Sequence, residues 1–308
     1  MQTKKTLTKV LAILSFSGLL TLNGAGLQAA PEDNPQRFEK LPYTFDFDGP
    51  YYPKPSLVFE GAFPEVPEEM MVYRVKHPNV TEASVREFAQ KFGIPADAEL
   101  TRSCRLRLYW LKTPGQHLEV DPSNGTFIVT RIGKKDSQTD KGKDYPSRVE
   151  CGEIARAYLN TYNLLSEEAY LEEIVDNTKG AGVMSVGFGR KIGGYKTWGA
   201  GAQITVEIEA GGEVAEVGKA WQELIPYKPY PIKPPEEVLE EIRNGKGVLM
   251  HGNKGKVEKI TLRYYCSPQK QEYVQPIYYF ECTGSNGDFY GVVPAIRQEY
   301  LKPKGKSE

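Results

Sequence analysis

The feature that most restricts the fold is a pattern that occurs three times: a short amphipathic helix followed by strands that alternate apolar and polar residues. In the first occurrence, Thr81 provides an N-cap for a helix with apolar residues at helical spacing, and Gly93 provides its stop. Alternating segments on both sides of residues 121–125 predict an antiparallel hairpin. So few helices and so many hairpins exclude a doubly wound parallel sheet.

The second and third occurrences have their own helix starts. Ser147 and Glu150 match a capping box before a helix with one apolar face. The third helix starts within the run Pro234-Pro235-Glu236-Glu237 and ends near Asn244 and Gly245. Alternating strands follow both helices, so the sequence predicts duplication of one small α+β unit.

The predicted fold is therefore α+β, with tandem modules that each consist of a helix packed on a curved antiparallel sheet. The predicted boundaries are, in order, a proline- and aromatic-rich arm at 30–69, the first module at 70–133, a charged linker at 134–147, the second module at 148–226, the third module at 227–297 and a basic tail at 298–308.

The N-terminal segment has the order of parts of a secretory signal. Three lysines lie within the first nine residues, residues 10–22 are uncharged, and small residues surround Ala29. We expect a signal peptide at 1–29 and an extracytoplasmic protein, secreted or associated with the cell envelope. The uncharged stretch is shorter than the roughly 20 residues of a membrane span. Cleavage would leave no stable span, and retention as an anchor is the alternative.

Composition narrows the function. The 308 residues carry 39 basic and 40 acidic side chains. Because positive charge is not in excess, the sequence does not predict a nucleic-acid partner. Only three histidines are present. They lie in separate segments without metal-ligand spacing, so we predict neither a metal site nor a cofactor. No nucleophile elbow or phosphate-binding loop is present, and we predict no catalytic residue.

The four cysteines have two interpretations. Cys104, Cys266 and Cys282 alternate with apolar residues on strands, and Cys151 lies on the apolar face of a helix, so all four are expected to be buried. Outside the cytosol they are disulfide candidates with three possible pairings. Four inert core thiols are an equally weighted alternative.

A glycine-rich stretch at 186–195 contains the basic pair Arg190 and Lys191. Strand-like residues follow it, which is the wrong context for dinucleotide binding. A plain hairpin is the favoured interpretation, and contact of Arg190 and Lys191 with an anionic wall polymer or with the acidic surface of a partner is the weaker one.

At the level of motifs the chain resembles known families. The segment EVDPSNGTFIVT, residues 119–130, is similar to the strand-turn-strand of PepSY-type domains. Residues 186–221, VGFGRKIGGYKTWGAGAQITVEIEAGGEVAEVGKAW, and residues 273–295, YVQPIYYFECTGSNGDFYGVVPA, resemble the YycI-type extracytoplasmic regulators of a cell-wall two-component kinase. The resemblance implies a helix on a curved sheet, and either inhibition or chaperoning of a peptidase or modulation of an envelope signalling protein.

The functional hypothesis is an exported, non-catalytic protein-contact module that regulates an envelope peptidase or signalling protein. Its partner would be another envelope or secreted protein, met through sheet edges and exposed hairpins. The alternatives are an exported enzyme and a glycan-binding protein acting on cell-wall polymer. A cleft with a strongly perturbed carboxylate would favour the enzyme.

Overall fold

The computed structural model describes residues 38–45, 55–103, 108–132 and 144–303. The predicted signal at 1–29, Cys104 and most of the predicted linker at 134–147 lie outside the described residues. The described helices are α1 (Glu82–Gln90), α2 (Arg148–Thr161) and α3 (Pro235–Arg243), with a short 3-10 helix at Gln298–Tyr300.

Sixteen strands make up nearly half of the described chain. They are β1 (Ser56–Val58), β2 (Glu69–Lys76), β3 (Glu99–Arg102), β4 (Tyr109–Lys112), β5 (Gln116–Val120), β6 (Phe127–Arg131), β7 (Ala169–Asn177), β8 (Val183–Ile192), β9 (Tyr195–Trp198), β10 (Ala202–Ile208), β11 (Val214–Trp221), β12 (Glu223–Pro231), β13 (Val248–Met250), β14 (Lys254–Tyr265), β15 (Tyr273–Gly284) and β16 (Gly287–Pro294).

The prediction of an α+β fold in tandem modules is wrong. The protein is mostly one large mixed sheet, with 48% strand and 14% helix. The main path of the sheet runs β12-β2-β15-β14-β9-β8-β10-β11-β6-β5-β4-β3, with β7 attached to β8 and β16 to β15. Strands from different predicted units pair directly, as β2 does with β12 and β15, and β6 with β11. Alternation reveals which face of a strand is buried, but not which strand lies beside it.

Local signals in the sequence do form as predicted. Ser147 and Glu150 make the capping box of α2, with the Ser147 amide 2.8 Å from a Glu150 carboxylate oxygen. Thr81 caps α1, and Pro235 opens α3. The two caps satisfy backbone N–H donors at the starts of α1 and α2, and the proline at the start of α3 has no N–H donor to satisfy. Both effects stabilise short helices, which have few internal hydrogen bonds.

Two large clusters of buried side chains form the core. One lies between α1, α2 and the strands β4, β5, β6, β8, β10 and β11, and it joins residues of the first two predicted modules. The other lies between α3 and the long strands β14, β15 and β16. The predicted domain boundaries stay a prediction.

The two ends of the described body lie side by side. Leu41 and Leu301 form a parallel bridge, in which the Leu41 amide donates to Tyr300 O at 2.9 Å and the Lys302 amide donates to Leu41 O at 2.7 Å. Both leucines are 1% exposed, so part of the predicted aromatic arm at 30–69 belongs to the core. Within the described ranges, no helix is both long enough and apolar enough to cross a membrane.

Candidate protein-contact site

The edges of the sheet are where a second chain could add a strand. Among the described strands, β1, β3, β7, β12 and β13 each pair with one neighbour. Three of them have only three or four residues, whereas β7 and β12 have nine each. A partner strand needs several consecutive backbone groups, so β7 and β12 are the two candidates.

Prolines close the outer edge of β12. Pro226, Pro229 and Pro231 pair with Tyr73, Met71 and Glu69, which are alternate residues of β2. In an antiparallel pair, alternate residues point their backbone groups away from the partner strand. Because proline in a strand is tolerated where the missing donor would face solvent, all three prolines remove donors from the outer edge.

The other long edge, β7, contains no proline and pairs with β8 alone among the described strands. Its inner face packs closely on α2. A Cβ added to Gly152 of α2 would be in van der Waals contact with this face, 3.6 Å from Ile174 and 3.8 Å from Leu171. The pairing with β8 shifts register between Leu171 and Glu173, which is a β-bulge at Glu172. Val175 is 38% exposed.

Acidic side chains give this edge its charge. Glu172, Glu173 and Asp176 are exposed on β7, and the strand contains no basic residue. Like charges on two copies of β7 would repel each other, and a basic strand would be attracted. Asp176 accepts hydrogen bonds from the amide and hydroxyl of Thr178, which lower the pKa of its carboxyl group and keep it ionised.

The outer face of the sheet beside β7 combines Tyr170 with two lysines. Tyr170 lies against Gly189, where an added Cβ would be 2.6 Å from the phenol oxygen. Its hydroxyl donates to Glu172 at 2.9 Å, and burial raises its pKa. The Lys191 and Lys196 Nζ atoms lie 5.5 and 4.8 Å from the centre of its ring. Glycine at 189 therefore lets an aromatic ring lie flat on the sheet.

A cleft of about 320 Å³ opens on this face, and Glu172 of β7 is one of its walls. Trp198 and Tyr290 are its aromatic residues, with ring centres 5.9 Å apart. Arg263 also lines it, stacked 3.6 Å from the Tyr279 ring centre and donating to Glu281 at 3.1 Å. The aromatic rings of the cleft can stack on a side chain or a sugar ring. Arg263 and Glu172 supply a positive and a negative charge beside them.

The two residues named in advance as partner contacts occupy different environments. Arg190 is buried, with its Nε 2.7 Å from Glu168 and its Nη1 2.7 Å from Gln222 O, and its guanidinium lies 5.0 Å from the Trp221 ring centre. These contacts join β8 to the residues before β7 and after β11. Lys191 is exposed beside Tyr170, on the face described above.

The three described cysteines, Cys151, Cys266 and Cys282, are buried and free, so no disulfide forms among them. Their burial agrees with the sequence pattern. Burial raises the pKa of Cys266 and Cys282 to about 12, which keeps both as unreactive thiols. A disulfide that involves Cys104 stays a prediction.

Signals of acid–base or metal chemistry are weak in the described ranges. No group of three or more potential metal ligands occurs among the residues that the structure describes. Burial and the neighbouring Glu216 raise the pKa of Glu207, which lies opposite Glu216 on the outer face of β10 and β11. Glu216 accepts a hydrogen bond from Thr130 at 2.8 Å. This cross-strand pair lies outside both the cleft and the β7 edge.

The sequence interpretation missed Tyr170 and Tyr290, and it favoured core packing over a carbohydrate platform for Trp198. Trp198 reads as a core residue from its strand context, but it is only half-buried and lines the cleft. The usable signal is the glycine at 189 opposite Tyr170 in a neighbouring strand. That signal can be recognised only once the pairing of β7 with β8 is known.

Comparisons with known proteins add little to this site. No protein-family model matches the chain, and no curated protein matches it. An uncharacterized protein from Eubacterium rectale is similar with a TM-score of 0.40 and 11% identity, over 74% of this chain and 84% of that chain. The YpeB C-terminal domain of Bacillus megaterium has a TM-score of 0.38 and 14% identity, over 71% of this chain and 94% of that chain. At these values neither likeness assigns the chain to a family, and the PepSY-type and YycI-type resemblances stay predictions from the sequence.

Proposed function

We propose that the chain is an exported, non-catalytic contact module that binds another envelope or secreted protein by strand addition at β7. The observation that carries the proposal is the contrast between two edges of equal length, one closed by prolines and one open. The motif resemblance adds the expectation that the partner is an envelope peptidase or signalling protein whose activity the contact regulates.

Charge and shape limit the partner segment. It would be extended, so that its backbone can pair with β7, and rich in lysine or arginine, because β7 carries Glu172, Glu173 and Asp176. The aliphatic side chains Leu171 and Val175, 37% and 38% exposed, give such a strand apolar contacts along the edge. The added backbone hydrogen bonds would supply affinity, and the side chains would supply specificity.

Site-directed photo-crosslinking in the native cell tests this proposal directly. A photoreactive phenylalanine analogue would replace Val175 on β7 or, as the matched control, Ile225 on β12, which is 48% exposed. We expect one discrete adduct with another envelope protein from position 175 and none from position 225. Adducts of equal yield from both positions, or none from position 175, would contradict strand addition at β7.

Charge reversal provides a second arm. E172K/E173K should reduce the yield of that adduct at least tenfold and weaken its salt dependence, because the attraction for a basic strand is lost. The control E99K/E223K makes the same charge change on β3 and β12, where Glu99 and Glu223 are also exposed. Equal loss in both double variants would mean that net charge, and not β7, determines binding.

A second candidate function is glycan binding at the cleft, because Trp198 and Tyr290 provide an aromatic platform beside Arg263 and Glu172. Binding to purified peptidoglycan that persists at high salt and is lost in W198A would support it. Retention of the position-175 adduct in W198A would then assign the protein partner and the glycan to separate sites.

A further inference from the structure

A second cavity, among the described residues, lies on the opposite face of the sheet from the contact site. It has a volume of about 570 Å³ and opens between α2 and the strands β5, β6 and β11. This volume is within the range of small-ligand sites. Neither the β7 edge nor the aromatic cleft shares a residue with it.

Aromatic rings form one wall of the cavity. Phe92 and Tyr162 are stacked, with ring centres 5.0 Å apart and an angle of 24° between the planes. The ring centre of Tyr158 lies 4.7 Å from the ring centre of Tyr162. Burial raises the pKa of Tyr158 to about 12, so its phenol is neutral and can donate or accept a hydrogen bond. This wall suits an aromatic side chain.

A buried acceptor in the cavity lining lacks a donor. The Gln116 side-chain oxygen is inaccessible to solvent and has no hydrogen-bond partner among the described residues. Leaving such an atom unpaired destabilises the folded state, and native proteins usually satisfy it. Rotation of the Gln116 side-chain amide into the cavity that this residue lines would let a ligand N–H group donate to this oxygen and remove the penalty.

Two opposite charges flank the mouth. Arg131 pairs with Glu213, both line the cavity, and Arg131 is directly opposite Gln116 in the pairing of β5 with β6. A ligand with a single charge would attract one member of this pair and leave the other uncompensated. A zwitterion gives each side chain an opposite charge and adds hydrogen bonds between ionised groups, which are the strong ones.

We propose that this cavity binds a dipeptide with an aromatic side chain. Its carboxylate would pair with Arg131, its ammonium group with Glu213, and its amide N–H would donate to the Gln116 oxygen. Its ring would pack on Phe92, Tyr158 and Tyr162. The site is independent of the strand-addition surface, so neither proposal requires the other.

Calorimetric titration with three probes tests the ligand class. Glycyl-phenylalanine carries both charges, N-acetyl-glycyl-phenylalanine lacks the ammonium group, and glycyl-phenylalanine amide lacks the carboxylate. We expect saturable binding of the first and at least tenfold weaker binding of each blocked probe. No saturable binding of the first up to millimolar concentration, or equal binding of all three, would overturn the proposal.

Variants locate the binding and separate it from stability. Q116L should weaken binding at least fivefold and raise the melting temperature, because it removes the unpaired oxygen. Q90L changes an exposed glutamine of α1 and should leave affinity within twofold. A157W should fill the cavity and abolish binding with an unchanged circular dichroism spectrum. Wild-type affinity in Q116L or A157W would contradict binding at this cavity.

Discussion

The two long edge strands show how one sheet can close one side and leave another open. β7 and β12 have the same length, and each pairs with a single described neighbour. β12 carries a proline at three positions that face outward, whereas β7 carries acids and a bulge. Outward-facing prolines remove the backbone donors that any added strand would use, while acids oppose only the pairing of two copies, so β7 stays available to a partner of the opposite charge.

Anchoring also differs between these edges. β12 continues into Lys233, which is 2% exposed and forms a 2.5 Å ion pair with Glu241 of α3. The buried hydroxyl of Tyr278 donates to Lys233 O at 2.6 Å. β7 ends in an exposed turn, where the Gly180 amide donates to Asn177 O. The closed edge is fixed to the core, and the open edge relies on β8 and α2.

The largest expected effect concerns that anchor. Lys233→Met leaves the mostly buried Glu241 without its partner and should lower the free energy of unfolding by about 3 kcal/mol in urea titrations. The control Lys76→Met removes the exposed pair with Glu223 at the other end of β12 and should cost about 0.5 kcal/mol or less. Equal costs would mean that β12 is not anchored through Lys233.

A smaller effect is expected at the support of β7. Ile174→Ala removes a half-buried side chain that packs on α2, and should lower the free energy of unfolding by about 2 kcal/mol. Val175→Ala on the exposed edge should change it by about 0.5 kcal/mol or less. A reversed order in thermal or urea unfolding would show that the inner face of β7 has been assigned incorrectly.

Opening the closed edge should change association more than stability. Pro226→Val/Pro229→Val restores two outward donors and should shift the free energy of unfolding by only about 0.5 kcal/mol. Sedimentation velocity should then detect a dimer that grows with concentration, because an unpaired edge accepts a second copy.

The matched variant Pro226→Lys/Pro229→Lys has the same donors but carries charges that repel another copy, so it should remain monomeric. Dimers of both variants, or of neither, would indicate that prolines do not decide whether β12 can pair.

The sequence predicted local structure well and long-range pairing poorly. Features that depend on neighbours in the chain can be predicted from spacing alone. They are the caps at Thr81 and Ser147, the burial of Cys151, Cys266 and Cys282, and the 121–125 turn. The pairing of β2 with β15 joins residues about two hundred positions apart.

The candidate site shows the same limit. The order of strands in the sheet brings side chains from β7, β9, β14 and β16 together on one face. These side chains are Tyr170, Glu172, Trp198, Arg263 and Tyr290. Each of these residues has an ordinary position within its own strand pattern. Sequence reasoning named Lys191, together with Arg190, as the less favoured contact candidate of a glycine-rich stretch, and that role stays a prediction. It did not identify Tyr170, beside which Lys191 lies.

The parallel bridge between Leu41 and Leu301 has a mechanical consequence. Tension applied between residues 38 and 303 pulls the two parallel segments in opposite directions along their length, so it loads the hydrogen bonds from Leu41 to Tyr300 and from Lys302 to Leu41 together. Such shear loading requires both bonds to break at once, whereas pulling two antiparallel segments apart at one end would break them in turn. The join between the ends of the body therefore acts as a clamp against stretching.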